Sequence, residues 1–231
     1  MVMKRILMIS LFVIACLQAK GQSMTFIDPD DKAAALFDSV KFVNPNYEHD
    51  IIVFKDNRQS NGTMNISTID QKIYFITPQK DTLVLNENDN VNRVFIKGKT
   101  YIKSSNGYVE IVDILGEICL GVLSDIELLY NVQTGAYGQK RQNATVQTVK
   151  FIEADGYRVD LESRNLRPFT YSKTPLLYNS NGAILTVTKK NLMKCFPKQK
   201  AFIEQYIAEH KPNLGAIAPV QELFKALAQN M

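Results

Sequence analysis

Histidine and cysteine are scarce in this chain, with two histidines and three cysteines among 231 residues. The shortage excludes much familiar chemistry. Nothing has the CxxC or mixed Cys/His spacing of a structural metal site. No Ser-His-Asp order is credible with so few histidines. His49 follows Glu48 and precedes Asp50, so a carboxylate-oriented base is conceivable. Neighbours on a strand point to opposite faces, however, which leaves Asp50 poorly placed to orient it. His210 lies near a helix C-terminus, where a cationic ring is mildly favoured. Asp28-Pro29-Asp30-Asp31 lacks the ligand spacing and the glycine of an EF-hand loop. No cofactor and no metal is expected. Beyond the first two dozen residues there is no long apolar span, heptad series or long low-complexity segment. No helix-length crossover separates the strand-like runs, which argues against Rossmann-like and TIM architectures.

What is present begins with a leader. Lys4 and Arg5 are followed by an uncharged apolar run, Ile6 to Ala15, and then by small and polar residues to Gln22. That order predicts a secretory signal over residues 1–21. The run is too short to span a bilayer comfortably as a permanent helix. Leu17-Gln18-Ala19 resembles a soluble-export cleavage site, and cleavage before Gln22 is a second option. Val13-Ile14-Ala15-Cys16 loosely resembles a lipobox, in which Cys16 becomes a lipidated first residue. Export to the periplasm or exterior is the expectation, with a lipid anchor to the envelope as the alternative. Cys119 and Cys195 survive cleavage and can form a disulfide in an oxidising compartment. Two separately buried thiols are the competing reading.

About 210 residues remain after the leader, enough for one large domain. There are 12 Phe and 10 Tyr to fill a core. The formal charge is +4. It falls to about +2 without Lys4 and Arg5, which gives no argument for nucleic acid or for general membrane adhesion.

Asp28-Pro29 opens a short helical pattern, with Ala33, Leu36, Phe37 and Val40 on one face. Val40 to Val43 is also β-prone. From Asp50 to about Thr188 the period becomes two. Strand readings are 51–55, 63–67, 72–77, 82–85, 94–96, 99–103, 108–114, 118–123, 145–154, 157–161 and 184–188. Asn106-Gly107 reads as the clearest type I′ turn, and Lys97-Gly98, Gly116-Glu117, Asp155-Gly156 and Asn181-Gly182 as further turns. Repeated short hairpins predict an antiparallel meander over residues 22–188, folded as a sandwich, a roll or a partly closed barrel. Ile73 with Phe75 and Tyr74 with Ile76 are both apolar pairs, so that strand is expected to be covered on both faces.

Helical periodicity returns after Thr188. Asn191 is a candidate cap for 192–196, and Pro197 stops that helix. A second helix reads from about Lys198 to His210. Pro219 suits the first turn of a last helix with Val220, Leu223, Phe224 and Leu227 on one stripe. Residues 189–231 are expected to pack as helices on the β domain.

Candidate chemistry is thin. Glu110, Asp113, Glu117, Asp125 and Glu127 could supply a facing carboxylate pair for hydrolysis, but alternating carboxylates on a wet face look the same. The most unusual loop is 131–142, where Gly135 and Gly138 frame Tyr137 and Lys140 and Arg141 follow. Tyr137 is a candidate platform for a sugar ring or peptide, with Lys140 and Arg141 as polar contacts. The bland reading makes Tyr137 a core plug. Asp56–Gly62 is a second candidate rim loop.

The exported N-terminus, Gly62-Thr63-Met64-Asn65-Ile66, Gly135-Ala136-Tyr137-Gly138 and Leu192 to Tyr206 together resemble a family of uncharacterised secreted or envelope-associated Bacteroidetes proteins. Asp38-Ser39-Val40 and Asp81-Thr82-Leu83 resemble the O-glycosylation signals of that phylum. The resemblance implies no catalytic or ligand residues. The expectation is an exported, non-enzymatic β protein with a structural or protein-interaction role. A glycan- or small-ligand-binding module is the alternative, and a carboxylate-dependent hydrolase a third reading. Expected partners are an envelope protein or a glycan, without nucleic acid and without a membrane-spanning helix in the mature chain.

Overall fold

The computed structural model describes residues 31–86, 90–128, 132–134, 140–142, 153–154, 157–158, 169–179 and 182–231. The segment expected to be a leader, Cys16 within it and the start of the first helical pattern lie outside them. Helix α1 (Asp31–Val40) comes first. Strands β1 (Glu48–Phe54), β2 (Gln59–Ile66), β3 (Ile73–Ile76) and β4 (Thr82–Val84) form successive hairpins. β5 (Val91–Ile96), β6 (Lys99–Ser104), β7 (Gly107–Leu115) and β8 (Ile118–Leu128) form a second series. Two small ladders follow, β9 (Val132–Thr134) with β10 (Lys140–Gln142) and β11 (Glu153–Ala154) with β12 (Tyr157–Arg158). β13 (Phe169–Asn179) and β14 (Ile184–Thr186) rejoin the main sheet. Helix α2 (Lys189–Cys195), a 3-10 turn (Pro197–Gln199), α3 (Lys200–His210) and α4 (Ile217–Gln229) complete the chain.

The ten-stranded sheet is antiparallel, in the order β14-β13-β8-β7-β6-β5-β1-β2-β3-β4, and is not closed into a barrel. The expected meander with C-terminal helices is therefore the fold. Three local expectations need correction. The two-residue turn after β6 is Ser105-Asn106, since Ser104 pairs with Gly107. The left-handed pair suited to a type I′ turn is Lys97-Gly98, at φ 54° and 73°. β13 has no counterpart among the strand readings, yet it pairs with β8 over eleven residues. Its polar Ser172-Lys173-Thr174 followed by Pro175 hides the strand pattern. The cap of α2 is Thr188, whose Oγ1 accepts from Asn191 N at 3.1 Å. Asn191 instead donates its side-chain amide to Thr186 O at 2.9 Å.

One face of the sheet buries the core. Ile52, Met64, Ile73, Val94, Tyr101 and Tyr108 come from six different strands and form one cluster that, among the described residues, includes no helix. A sheet face meets itself this way only by coiling, so this half is a roll. Along β8 the same face continues. At one end Ile118 and Leu120 pack under α2–α4, against Leu192, Ile203, Leu223 and Phe224. At the other end Ile126, Leu128 and Phe169 meet α1, with Phe37 edge-on to Phe169 at 5.2 Å. The β3 expectation holds: Ile73 faces the roll, while Tyr74 is buried on the other side beneath Phe42, 5.8 Å between rings. Asn65 is fully buried and anchors the chain before β1. Its Nδ2 donates to Asn44 O at 2.8 Å and Asn46 O at 3.0 Å, and its Oδ1 accepts from Asn44 N at 3.3 Å.

The roll is fastened by a turn rather than a ladder. Ile126 N donates to Thr68 O at 2.9 Å. Gln71, at a left-handed φ of 53°, donates Nε2 to Ser124 O at 2.9 Å and accepts from Tyr108 N at 2.9 Å. A left-handed non-glycine costs about 1–2 kcal/mol, which these bonds offset. Gly107 is required beneath it: its φ is +142°, and a Cβ there would collide with the Gln71 side chain.

Candidate functional site

The strongest concentration of one kind of chemistry lies on α2 and the start of α3. Residues 189–200 read KKNLMKCFPKQK, with five lysines and no acidic residue. Leu192 and Phe196 are one helical turn apart and point into the helical core. That choice leaves Lys189, Lys190 and Lys194 on solvent. Pro197 then turns the chain, and Lys198 and Lys200 are exposed beyond it. Lys194 falls in the last turn of α2, where the helix dipole favours a cation. Glu204 on α3 pairs with Lys189 at 3.1 Å. Lys189, Lys190, Met193, Lys194 and Lys200 wall an open trough of about 620 Å³. Its walls are lysine stems and a half-buried thioether, and its rim is ammonium.

The charge distribution sharpens this. Residues 189–231 contain seven lysines and three glutamates, an excess of four. The whole chain's formal charge is +4, from 27 cations and 23 acids. Residues 1–188 therefore balance, twenty against twenty. Averaging over the chain conceals this, whereas the lysine spacing in 189–200 was a visible signal.

A second concavity of about 460 Å³ lies at the roll's rim, lined by Phe54, Arg58, Gln59, Ser60, Leu85 and Asn86. It includes part of the Asp56–Gly62 loop. Arg58 lies over the Phe54 ring at 5.0 Å and pairs with Asp56, Nε to Oδ2, at 2.7 Å. The hydrogen bonds from Arg58 hold the Asp56 carboxyl below its usual range.

The other candidates separate. Tyr137 lies outside the described residues. Of Lys140 and Arg141 the structure describes the backbone, paired with Thr134 and Gln133. Cys119 and Cys195 are free thiols in this structure. The sheet lies between them: Cys195 packs in the helical core on the Ile118–Leu120 face, and Cys119 alternates to the opposite face. Burial pushes both thiols up. Among the described residues, no group of three or more His, Cys, Asp or Glu could hold a metal ion. No described helix is long and apolar enough to cross a membrane.

Of the carboxylates, Asp125 and Glu127 share one face of β8, and Glu110 lies on the other side of the sheet. Glu110 shares a face with Val122, pairs with Lys99 at 3.0 Å and accepts from the Tyr101 hydroxyl at 3.4 Å. Burial first, and Glu110's charge second, push Tyr101 well above the usual phenol range. Asp125 lies on the opposite face of β8. Burial, reinforced by the charge of Glu127, raises its pKa despite a hydrogen bond from Gln71. His49 Nδ1 sits 3.5 Å from Thr63 Oγ1, while Asp50 accepts from Ile51 N and Lys97 N. His210 stacks on Tyr206 at 4.1 Å at the end of α3.

No family model, curated protein or solved structure matches this chain.

Proposed function

We propose that this chain is a docking protein of the cell envelope, which acts by presenting the basic face of α2 and α3 rather than by catalysis. The observation that carries the reading is five lysines without an acid in 189–200, on a chain whose residues 22–188 hold seventeen cations against twenty acids. Beyond the Lys189–Glu204 pair, same-sign crowding adds little to the fold, since Leu192 and Phe196 already anchor α2. Such a face gains free energy when an anionic partner neutralises it. The leader at Lys4 to Gln22 supports an envelope setting. Glu110 is tied to Lys99 and lies on the face opposite Asp125 and Glu127, which gives a hydrolase less support than a docking role.

The test is retention of the exported chain on dextran sulfate across a salt series. Replacing Lys189, Lys190, Lys194 and Lys200 by Gln is expected to abolish retention at physiological salt. The same change at the exposed Lys55, Lys80, Arg93 and Lys225 is expected to weaken it far less. Equal effects from the two sets would show that no particular face docks.

A small-ligand role has one observation in its favour, the rim cleft with Gln59, Ser60 and Asn86 beside the Arg58–Phe54 stack. A glycan array probed with wild type and with Gln59→Ala/Asn86→Ala checks it. Loss of a reproducible sugar signal in the double variant is the expected outcome.

A further inference from the structure

We infer that the partner of the lysine trough is the anionic surface of a lipid bilayer; this rests on the docking reading and names its occupant. The trough combines two features that a soluble polyanion does not need together. Its rim carries the ammonium groups of Lys189, Lys190, Lys194 and Lys200, with Lys198 exposed alongside. Its floor is apolar, made by Met193 and the stems of those lysines. Cations above aliphatic surface match a phosphate headgroup with the first methylenes of its acyl chain beneath it.

The same residues argue against nucleic acid. Among the described residues no arginine and no aromatic ring lines the trough, so they offer neither a bidentate phosphate fork nor a base-stacking platform there. Lysines are point charges on long stems, suited to a fluid array of headgroups rather than to a fixed anion. Pairing with Glu204 holds Lys189 to α3, which keeps the α2 and α3 sides of the trough together. Leu192 and Phe196 anchor the underside in the core, and Phe196 meets Phe224 edge-on at 5.7 Å. The face is thus a fixed plate and need not fold on contact.

The modest overall charge is no objection. Screening limits electrostatic reach to about 8 Å at physiological salt, so the local cluster governs docking and the chain's average does not.

The experiment is cosedimentation of the exported chain, carrying Cys16→Ser so that no lipid anchor contributes. Vesicles of phosphatidylcholine with phosphatidylglycerol are compared with vesicles of phosphatidylcholine alone. Binding only to the anionic vesicles, released by high salt, is expected. Each lysine near a charged surface is worth about fivefold in partition. The quadruple Lys→Gln variant should therefore lose at least about a hundredfold, and Lys→Arg at the same positions should retain binding. Met193→Ser keeps every charge. It is expected to lower vesicle partition about threefold to tenfold and to leave dextran sulfate binding unchanged. Dextran sulfate binding without vesicle binding would overturn the bilayer as partner and leave the docking reading standing. Met193→Ser lowering neither, or both equally, would likewise remove the apolar contact on which the bilayer proposal rests. Unchanged dextran sulfate binding by the quadruple variant would sink the docking reading itself.

Discussion

The roll and the helical layer handle charge in opposite ways. On the roll, cations meet acids across neighbouring strands: Lys99 with Glu110 at 3.0 Å and Lys97 with Glu48 at 3.3 Å. Exposed pairs of this kind contribute about 0–1 kcal/mol each, but they leave the surface electrically quiet. On the helical layer five lysines crowd twelve residues, and one of them, Lys189, meets an acid, Glu204, at 3.1 Å. The two regions also bury separate cores, one made of strand residues alone and one of three helices closing over β7, β8, β13 and β14. The difference teaches where to look for function. Charge met by its opposite belongs to the fold, and an excess of one sign on an already anchored element points outward to a partner.

The most forceful way to break the comparison is Phe224→Ala. Phe224 is 1% exposed and edge-on to Phe196. Its loss is expected to cost about 3–5 kcal/mol. Region-resolved hydrogen exchange should show α2–α4 losing protection while β5 and β6 keep most of theirs. Equal loss in both regions would mean that the two cores melt as one unit. Gly107→Ala strikes the roll instead. The native φ of +142° would strain an alanine, and its Cβ would push Gln71 off Tyr108 N, at an expected cost of about 1–3 kcal/mol. Here protection should fall in β7 and the Thr68–Gln71 turn first, with the helices spared.

The gentlest test is Asp125→Asn, at the seam that Gln71 fastens. Burial raises the Asp125 pKa above its usual 3.8. Between that value and the raised one, the folded state binds more protons than the unfolded state. Stability contributed by the neutral carboxyl is thus full below 3.8 and is lost as pH rises through the window. Asparagine keeps an acceptor for Gln71 and does not titrate. Urea midpoints followed across that pH range should fall for wild type and flatten for the variant. An unaltered slope would assign the pH dependence to other groups.

Much of the meander was legible because hairpin turns advertise themselves in short sequence. Lys97-Gly98 and Gly116-Glu117 stand where their residues suggested. The one-residue error at Asn106-Gly107 has a long-range cause: Gly107 is reserved for the approach of Gln71, which local turn preferences do not contain. β13 was illegible because its middle, Ser172 to Pro175, is polar and proline-bearing. Its pairing with β8 nevertheless sustains it along its whole length. The coil of the sheet was also beyond periodicity, since alternation identifies a face but not what that face meets. The last helix was easy, as Val220, Leu223, Phe224 and Leu227 are all buried. The lysine trough was readable in principle. A single sum over the chain hid it, because charge acts over ångströms rather than over sequence averages.

The turn that fastens the roll also sets an order of events. Every ladder of the main sheet joins strands consecutive along the chain, except β1 with β5 and β8 with β13. Hairpins of consecutive strands close in microseconds. The Gln71–Ser124 bond joins residues fifty-three positions apart and has no ladder to guide it. It therefore closes late on the way in and parts early on the way out. Loosening it with Gln71→Ala would hasten unfolding and leave the folding rate nearly untouched. The bonds of this turn, Ile126 to Thr68 among them, thereby bear on how long the native roll lasts rather than on how quickly it is made.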